Sequence, residues 1–174
     1  EQSNIDYATM LEEAGCTVAV TVGPARGTVQ SWLRARCPAA SAVEVHDAHL
    51  GMSASLRAAV LPLVVADAPP DAVVVLLVDQ PGVDAAVIRR LLAAHEPGRV
   101  TRAMWSGSPG NPVVFDTADL CSAAALATGD AAARTWIARN RHLVDDVECG
   151  DLGRGDDIDE PADLAAWPEL RIPR

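Results

Sequence analysis

The sequence predicts an α/β fold built on a mostly parallel sheet, and three features support this class. Segments with strand character alternate with segments whose apolar residues recur at helical spacing. Residues 72–78 form an unbroken aliphatic run, as expected for a central parallel strand covered on both faces. The chain of 174 residues has the length of one domain that can bury a core. We therefore expect a single domain, with an antiparallel edge added by the second half.

Periodicity and turn residues place the individual elements before and after the aliphatic run. In the first half we expect helices over 7–14, around 29–33 and within 51–63, and strands over 16–22 and 42–45. Asp84 is expected to cap a helix that contains Val87, Ile88, Leu91 and Leu92. In the second half we expect strands over 100–105, 112–115 and 143–147, a loop over 106–112, and helices over 120–127, 131–139 and 161–167.

Charge and composition exclude several functional classes. The chain carries a formal net charge of −10, so nucleic acid and membrane surfaces are poor partners. It contains no lysine, which excludes a Schiff-base enzyme and a Walker-type phosphate loop within these residues. Four scattered cysteines without a C-x-x-C pair, and no signal peptide, favour a reduced, cytoplasmic protein. A phosphate-bearing ligand would need an arginine, a helix N-terminus or a bridging cation.

Three polar segments are candidates for a site at the carboxyl ends of the strands. Asp79 follows the aliphatic run, where it would either bind Mg²⁺ or simply shape the turn before Pro81. Asp157 and Asp159 would either complete that metal site or, for Asp159, cap the last helix. Segment 51–56, which reads GMSASL, would either bind a phosphate or base edge or provide an ordinary N-cap.

Taken in order, these segments resemble the molybdopterin nucleotidyltransferase family (MobA-like). The resemblance lies in 51–56 (GMSASL), 78–81 (VDQP), 110–115 (GNPVVF) and 157–164 (DIDEPADL), with 128–134 (TGDAAAR) as a weaker fifth match. It covers nearly the whole chain. It implies a Rossmann-like, three-layer fold of the nucleotide-diphospho-sugar transferase type.

The resemblance also implies a reaction and roles for individual residues. A molybdopterin-like phosphorylated acceptor would attack the α-phosphate of an NTP with Mg²⁺ as the cofactor, and pyrophosphate would leave. Asp79 would be the catalytic aspartate and a metal ligand, with Asp157 or Asp159 as the second ligand. The residues implied in nucleotide binding are Gly51, Met52, Ser53, Ser55, Leu56, Gln80 and Pro81, and those implied in acceptor binding are Gly110, Asn111 and Pro112. The GM-x-x-SL and DQP variants look closer to cytidylyl-transferring members, so CTP is expected over GTP.

The sequence departs from the family pattern in three places. The glycine-rich loop with an arginine and a lysine, which holds the triphosphate, is absent from these residues, so we expect the N-terminal nucleotide-binding segment to be missing from them. The family's Arg-Gly-His-Pro reads PGNP at 109–112, and Ala132 and Ala133 make the fifth segment less polar.

Two other functions compete with nucleotidyl transfer. One is a catalytically degenerate nucleotide- or cofactor-binding accessory protein that assists maturation of a molybdoenzyme partner. The other is a Rossmann-type oxidoreductase, which is disfavoured because no G-x-G-x-x-G follows any predicted strand.

Overall fold

The computed structural model describes residues 2–23, 26–160 and 162–167, and it places helices on both faces of β-structure. The helices are α1 (Gln2–Glu13), α2 (Arg26–Arg36), α3 (Met52–Val64), α4 (Ala85–Ala94), α5 (Thr117–Leu126) and α6 (Arg134–Arg139). The strands are β1 (Ala19–Val22), β2 (Ser41–Glu44), β3 (Ala72–Val75), β4 (Val100–Trp105), β5 (Ser108–Asp116) and β6 (Val144–Glu148). The predicted α/β class is therefore confirmed.

The strands form two sheets. Strands β1 and β2 pair in parallel, and the larger sheet has the order β3-β5-β4-β6. Strand β5 is antiparallel to both of its neighbours, whereas β4 and β6 are parallel. The antiparallel strand thus lies inside the sheet, and the prediction of an antiparallel edge was wrong. The cause is local: Ser106 and Gly107, at φ 50° and 85°, form a tight turn that folds β5 back along β4.

The aliphatic run differs from its prediction in length and in position. Strand β3 ends at Val75, and it lies at one end of the larger sheet, where it pairs with β5 alone. It is nevertheless covered on both faces, because Val73 and Val75 pack into one apolar cluster while Val74 and Leu76 pack into another. Burial on both faces explains the unbroken apolar run even though the strand is not central.

Helix α1 connects the two sheets through shared apolar clusters. Tyr7 packs with residues of α4 and the larger sheet, and Ala8 packs with residues of β1 and α2. Leu11 lies against both of these clusters. The opposite face of the larger sheet is covered by α3, α5 and α6. No helix among the described residues is long and apolar enough to cross a membrane.

Other predicted elements are confirmed or corrected by local geometry. The Asp84 cap is confirmed, since its Oδ1 accepts from the N–H groups of Ala86 and Val87. The predicted loop over 106–112 is mostly strand β5. The predicted helix over 131–139 begins only at Arg134, because Ala132 has φ 43° and interrupts it. The last helix is a 3₁₀ segment over Asp163–Ala166, and Pro161 lies outside the described residues.

The packing at Gly82 yields a stability prediction. A Cβ atom at Gly82 would overlap the carbonyl oxygen of Arg154 and lie 2.9 Å from the Trp167 ring. We expect Gly82→Ala to lower the free energy of unfolding by about 1–3 kcal/mol, the usual cost of overpacking. Chemical denaturation measures the change.

The matched control is Gly27→Ala. Nothing lies within 4 Å of a Cβ at Gly27, and the residue sits in helix α2. This variant should be as stable as the parent or more stable by up to about 1 kcal/mol. Equal stability of the two variants would contradict the close approach at Gly82.

Candidate active site

Asp79 lies in the turn that follows strand β3, at the carboxyl end of the sheet. The assigned strand stops at Val75, so Asp79 extends beyond it in a Val78-Asp79 turn. Its Oδ1 atom is buried and has no hydrogen-bond partner among the described residues. Burying a carboxylate oxygen without a hydrogen-bond partner costs free energy, so Asp79 is a candidate for binding a ligand.

A second loop docks onto this turn and brings another aspartate to it. The N–H of Ile158 donates to the carbonyl of Asp79 at 2.8 Å. The side-chain amide of Gln80 donates to the carbonyl of Gly155 at 3.1 Å and to Oδ1 of Asp157 at 2.7 Å. Gln80 itself is only 3% exposed. The structure therefore places Asp79, Gln80 and Asp157 together, although nearly eighty residues separate them in the sequence.

The electrostatics of the cluster reflect crowded negative charge. Burial raises the pKa of Asp79, and the charges of Asp157 and Asp159 raise it further. The hydroxyl of Tyr7 donates to the carbonyl of Gln80, and burial together with the charge of Asp79 raises the pKa of Tyr7 to about 12. In both groups, the part of the shift that comes from neighbouring carboxylates reflects negative potential, which a bound cation would reduce.

Asp159 does not cap the last helical segment. Its backbone N–H, and that of Glu160, donate to Oδ2 of Asp163 at 3.0 and 2.8 Å. Asp163 therefore closes this loop, and the alternative interpretation of Asp159 as an N-cap was wrong. Asp159 remains near enough to Asp79 to raise the pKa of that carboxyl.

The carboxylates fit a hard cation that is completed by substrate oxygens. Within the described residues, no three His, Cys, Asp or Glu side chains already converge to hold a metal ion. Mg²⁺ commonly takes only one or two protein carboxylates and fills its remaining positions with phosphate oxygens and water. The unpartnered oxygen of Asp79, with Asp157 beside it, suits that mode of binding.

The segment that was expected to contact the base folds against another part of the chain. The N–H of Met52 donates to Oδ1 of Asp130 at 3.2 Å, at the start of helix α3. A Cβ at Gly51 would lie 2.8 Å from the backbone of Gly129, so glycine is required here. Ser53 is buried. The structure thus joins segment 51–56 to segment 128–134, two of the five motifs in the family resemblance.

The segment expected to bind the acceptor is held by Trp105. The indole N–H of Trp105 donates to the carbonyl of Asn111 at 2.9 Å, and Gly110 lies close to the same ring. Pro112 is fully buried. Trp105 also packs so tightly against Gly155 that a Cβ there would overlap the ring. One indole therefore contacts both the 110–112 segment and the loop that carries Asp157.

Sequence reasoning missed Tyr7, Trp105, Arg154 and Trp167. The guanidinium of Arg154 lies 3.8 Å from the centroid of the Trp167 ring and pairs with Asp156 at 3.2 Å. A cavity of about 300 Å³ opens beside them, lined by Arg154, Asp156, Asp157, Asp163, Ala166 and Trp167. The glycine-rich run over 150–155 was the available signal, since closely spaced glycines often mark a tight backbone approach.

In open α/β sheets, ligands bind in the crevice beyond the carboxyl ends of the strands, and Asp79 lies beyond the carboxyl end of β3. Residues 6–145 match the MobA-like NTP transferase domain, so the chain belongs to that family, and the domain is of the nucleotidyltransferase class. The resemblance described from the sequence motifs is therefore confirmed.

The chain is also similar to individual proteins. It is 38% identical over 94 residues to the nicotine blue oxidoreductase of Paenarthrobacter nicotinovorans, a match that covers 50% of this chain and 46% of the relative. The chain thus spans about half the length of that curated relative. Crystal structures of Rv0371c from Mycobacterium tuberculosis H37Rv share its fold. One, in complex with manganese, has a TM-score of 0.74 at 22% identity and covers 95% of this chain and 87% of that chain. Another has a TM-score of 0.72 at 25% identity over 95% and 84%.

The shifted pKa of Tyr7 gives a spectroscopic prediction. Tyr7 is the single tyrosine of the chain, so absorbance at 295 nm follows its ionisation alone. The folded protein should titrate near pH 12 and the denatured chain near its usual value of about 10. Since the folded state holds this proton more tightly, the contribution of Tyr7 to stability is present below pH about 10 and lost as the pH rises to about 12.

The same titration tests the proximity of Asp79. Removing its charge by Asp79→Asn should lower the pKa of Tyr7 in the folded protein, because that charge is one cause of the rise. Far-UV circular dichroism over the same pH range shows whether the fold persists. A normal midpoint near 10 in protein that is still folded would contradict the burial of Tyr7 beside Asp79.

Proposed function

We propose that this chain is a Mg²⁺-dependent nucleotidyltransferase that joins the NMP of an NTP to a molybdopterin-like phosphorylated acceptor and releases pyrophosphate. The proposal favours CTP over GTP. It depends chiefly on one observation: Asp79, which lies inside the family match, presents a buried carboxylate oxygen without a hydrogen-bond partner among the described residues, next to Asp157. The manganese bound to one structural neighbour supports a divalent cation in this fold.

Each part of the site has a task in this proposal. A divalent cation supplies charge neutralisation for the triphosphate and the leaving pyrophosphate. Asp79 and Asp157 would hold that cation, with Asp159 adding negative charge nearby. The turn that carries Asp79 is held by hydrogen bonds from Tyr7 to the Gln80 carbonyl and from Ile158 to the Asp79 carbonyl. Positioning and charge stabilisation of this kind account for most catalysis in phosphoryl and nucleotidyl transfer.

The remaining motifs would surround the nucleotide and the acceptor. Segment 51–56 would approach the base, and its contact with Asp130 sets where helix α3 begins. Segment 110–112 would line the acceptor side, where Trp105 fixes the Asn111 carbonyl. Trp105 also contacts Gly155, so the same side chain packs against the acceptor segment and against the loop that carries Asp157.

The central prediction concerns Asp79. Asp79→Ala should abolish pyrophosphate release, by a factor of about 10³ or more if the metal is lost, while the fold stays intact. The fold should persist because the substitution removes a carboxylate whose buried Oδ1 has no hydrogen-bond partner among the described residues. A coupled pyrophosphate assay with Mg²⁺, NTP and molybdopterin measures the effect.

Asp67→Ala is the matched control. Asp67 is an exposed aspartate in the turn that precedes β3, at the opposite end of that strand. It should release pyrophosphate at the parent rate. A folded Asp79→Ala protein with full activity would refute the metal role. A parent protein that binds Mg²⁺–NTP without releasing pyrophosphate would favour the accessory role over catalysis.

A further prediction concerns the base. The cytidylyl-type sequences at 51–56 and 79–81 favour CTP, and competition binding of CTP and GTP in the presence of Mg²⁺ tests this. We expect CTP to bind more tightly than GTP. The two dissociation constants should differ by about tenfold if CTP makes one or two hydrogen bonds more through its base than GTP does. Preference for GTP would refute the cytidylyl assignment and leave the metal proposal unaffected.

The name of the 38% identical relative supports a second candidate, an oxidoreductase that acts on nicotine blue or a similar pigment. The two candidates predict different reactants. An oxidoreductase of this kind should oxidise NADH or NADPH when nicotine blue is added, with the loss followed at 340 nm. The nucleotidyltransferase should release pyrophosphate from an NTP and leave the reduced nicotinamide unchanged.

A further inference from the structure

We propose that Gln80 is a positioning residue that holds Asp157 in place to receive a divalent cation beside Asp79. This inference rests on the proposed function, because it concerns the same metal site. It assigns Gln80 a task different from the nucleotide binding that the family resemblance implies.

The geometry of the Gln80 amide supports this role. The amide nitrogen donates both of its hydrogens, one to the Gly155 carbonyl at 3.1 Å and one to Oδ1 of Asp157 at 2.7 Å. Both partners are acceptors only, so the orientation of the amide is fixed by its bonds. With an exposure of 3%, the side chain is hidden from a base in the crevice.

Gln80 and its two partners are held from both sides. Behind Gln80, the Tyr7 hydroxyl donates to the Gln80 carbonyl, which anchors the turn to helix α1. Behind Gly155, the Trp105 ring leaves no room for a side chain. The amide thus joins the turn that carries Asp79 to the loop that carries Asp157, and it sets the position of the Asp157 carboxylate relative to that turn.

The choice of a neutral donor is informative. Elsewhere in the chain, Asp146 is held by the guanidinium groups of Arg102 and Arg141, which lower its pKa against the cost of burial and neutralise its charge. The amide of Gln80 orients Asp157 without neutralising it. The amide occupies Oδ1 of Asp157 and leaves Oδ2 for a cation, as expected of groups that support metal ligands.

The test measures Mn²⁺ binding, without nucleotide or turnover, by the electron paramagnetic resonance signal of free Mn²⁺. Gln80→Met keeps the volume of the buried side chain and removes both donors. We expect it to weaken Mn²⁺ binding by about 10-fold to 100-fold, the usual effect of losing a group that orients a ligand. Gln30→Met makes the same substitution on helix α2 and should bind Mn²⁺ as the parent does.

A double-mutant cycle separates positioning from a general structural role. If Gln80 acts through Asp157, Gln80→Met should cause no further loss of Mn²⁺ affinity in an Asp157→Ala background. An equally large loss in that background would overturn the proposal. If Gln80→Met fails to fold, Gln80→Asn replaces it, since its amide is one methylene too short to reach both acceptors.

The outcomes distinguish this inference from the proposed function. Mn²⁺ binding that Asp79→Ala abolishes but Gln80→Met and Gln80→Asn leave unchanged would overturn the role of Gln80 alone. Failure of the parent protein to bind Mn²⁺, both alone and with an NTP present, would refute the metal site and, with it, both proposals. The positioning role is supported if the Gln80 variants bind Mn²⁺ more weakly than the parent and if the same substitutions cause no further loss of affinity in the Asp157→Ala background.

Discussion

The site depends on the close docking of the 153–158 loop against the turn that follows strand β3. Gly82 and Gly153 approach so closely that a Cβ on either would overlap the backbone of the other segment. The hydrogen bonds from Gln80 and from Ile158 then connect the same two segments. Without this approach of two backbones, Asp79 and Asp157 would have no reason to share a site, because nothing local in the sequence joins them.

Once the loop is docked, like charges are forced together. Asp79 has a raised pKa because it is buried and lies near Asp157 and Asp159, and Tyr7 responds to the same charge. Among the described residues, no arginine forms an ion pair with Asp79, Asp157 or Asp159, although Arg99 pairs with Asp145 and Arg102 with Asp146. Uncompensated carboxylates in a cleft are more typical of a functional site than of a structural ion-pair network.

Local features could be predicted from the sequence, and long-range ones could not. The Asp84 cap and the periodic face of helix α4 depend only on neighbouring residues, so the pattern was sufficient. The position of β3 at the end of its sheet depends on the hairpin turn at Ser106 and Gly107, which inserts β5 beside it. The contact of Trp105 with Gly155 involves no sequence signal other than the glycine itself.

Asp79 and Asp157 differ in their relation to the family match. Asp79 lies within residues 6–145, where the chain matches its family, whereas Asp157 lies beyond that match. Two observations place Asp157 in the site: the 2.7 Å hydrogen bond that it accepts from Gln80, and the effect of its charge on the pKa of Asp79. Since Gln80 lies inside the match and Asp157 outside, this hydrogen bond is the side-chain contact that joins the shared part of the domain to the second carboxylate of the site.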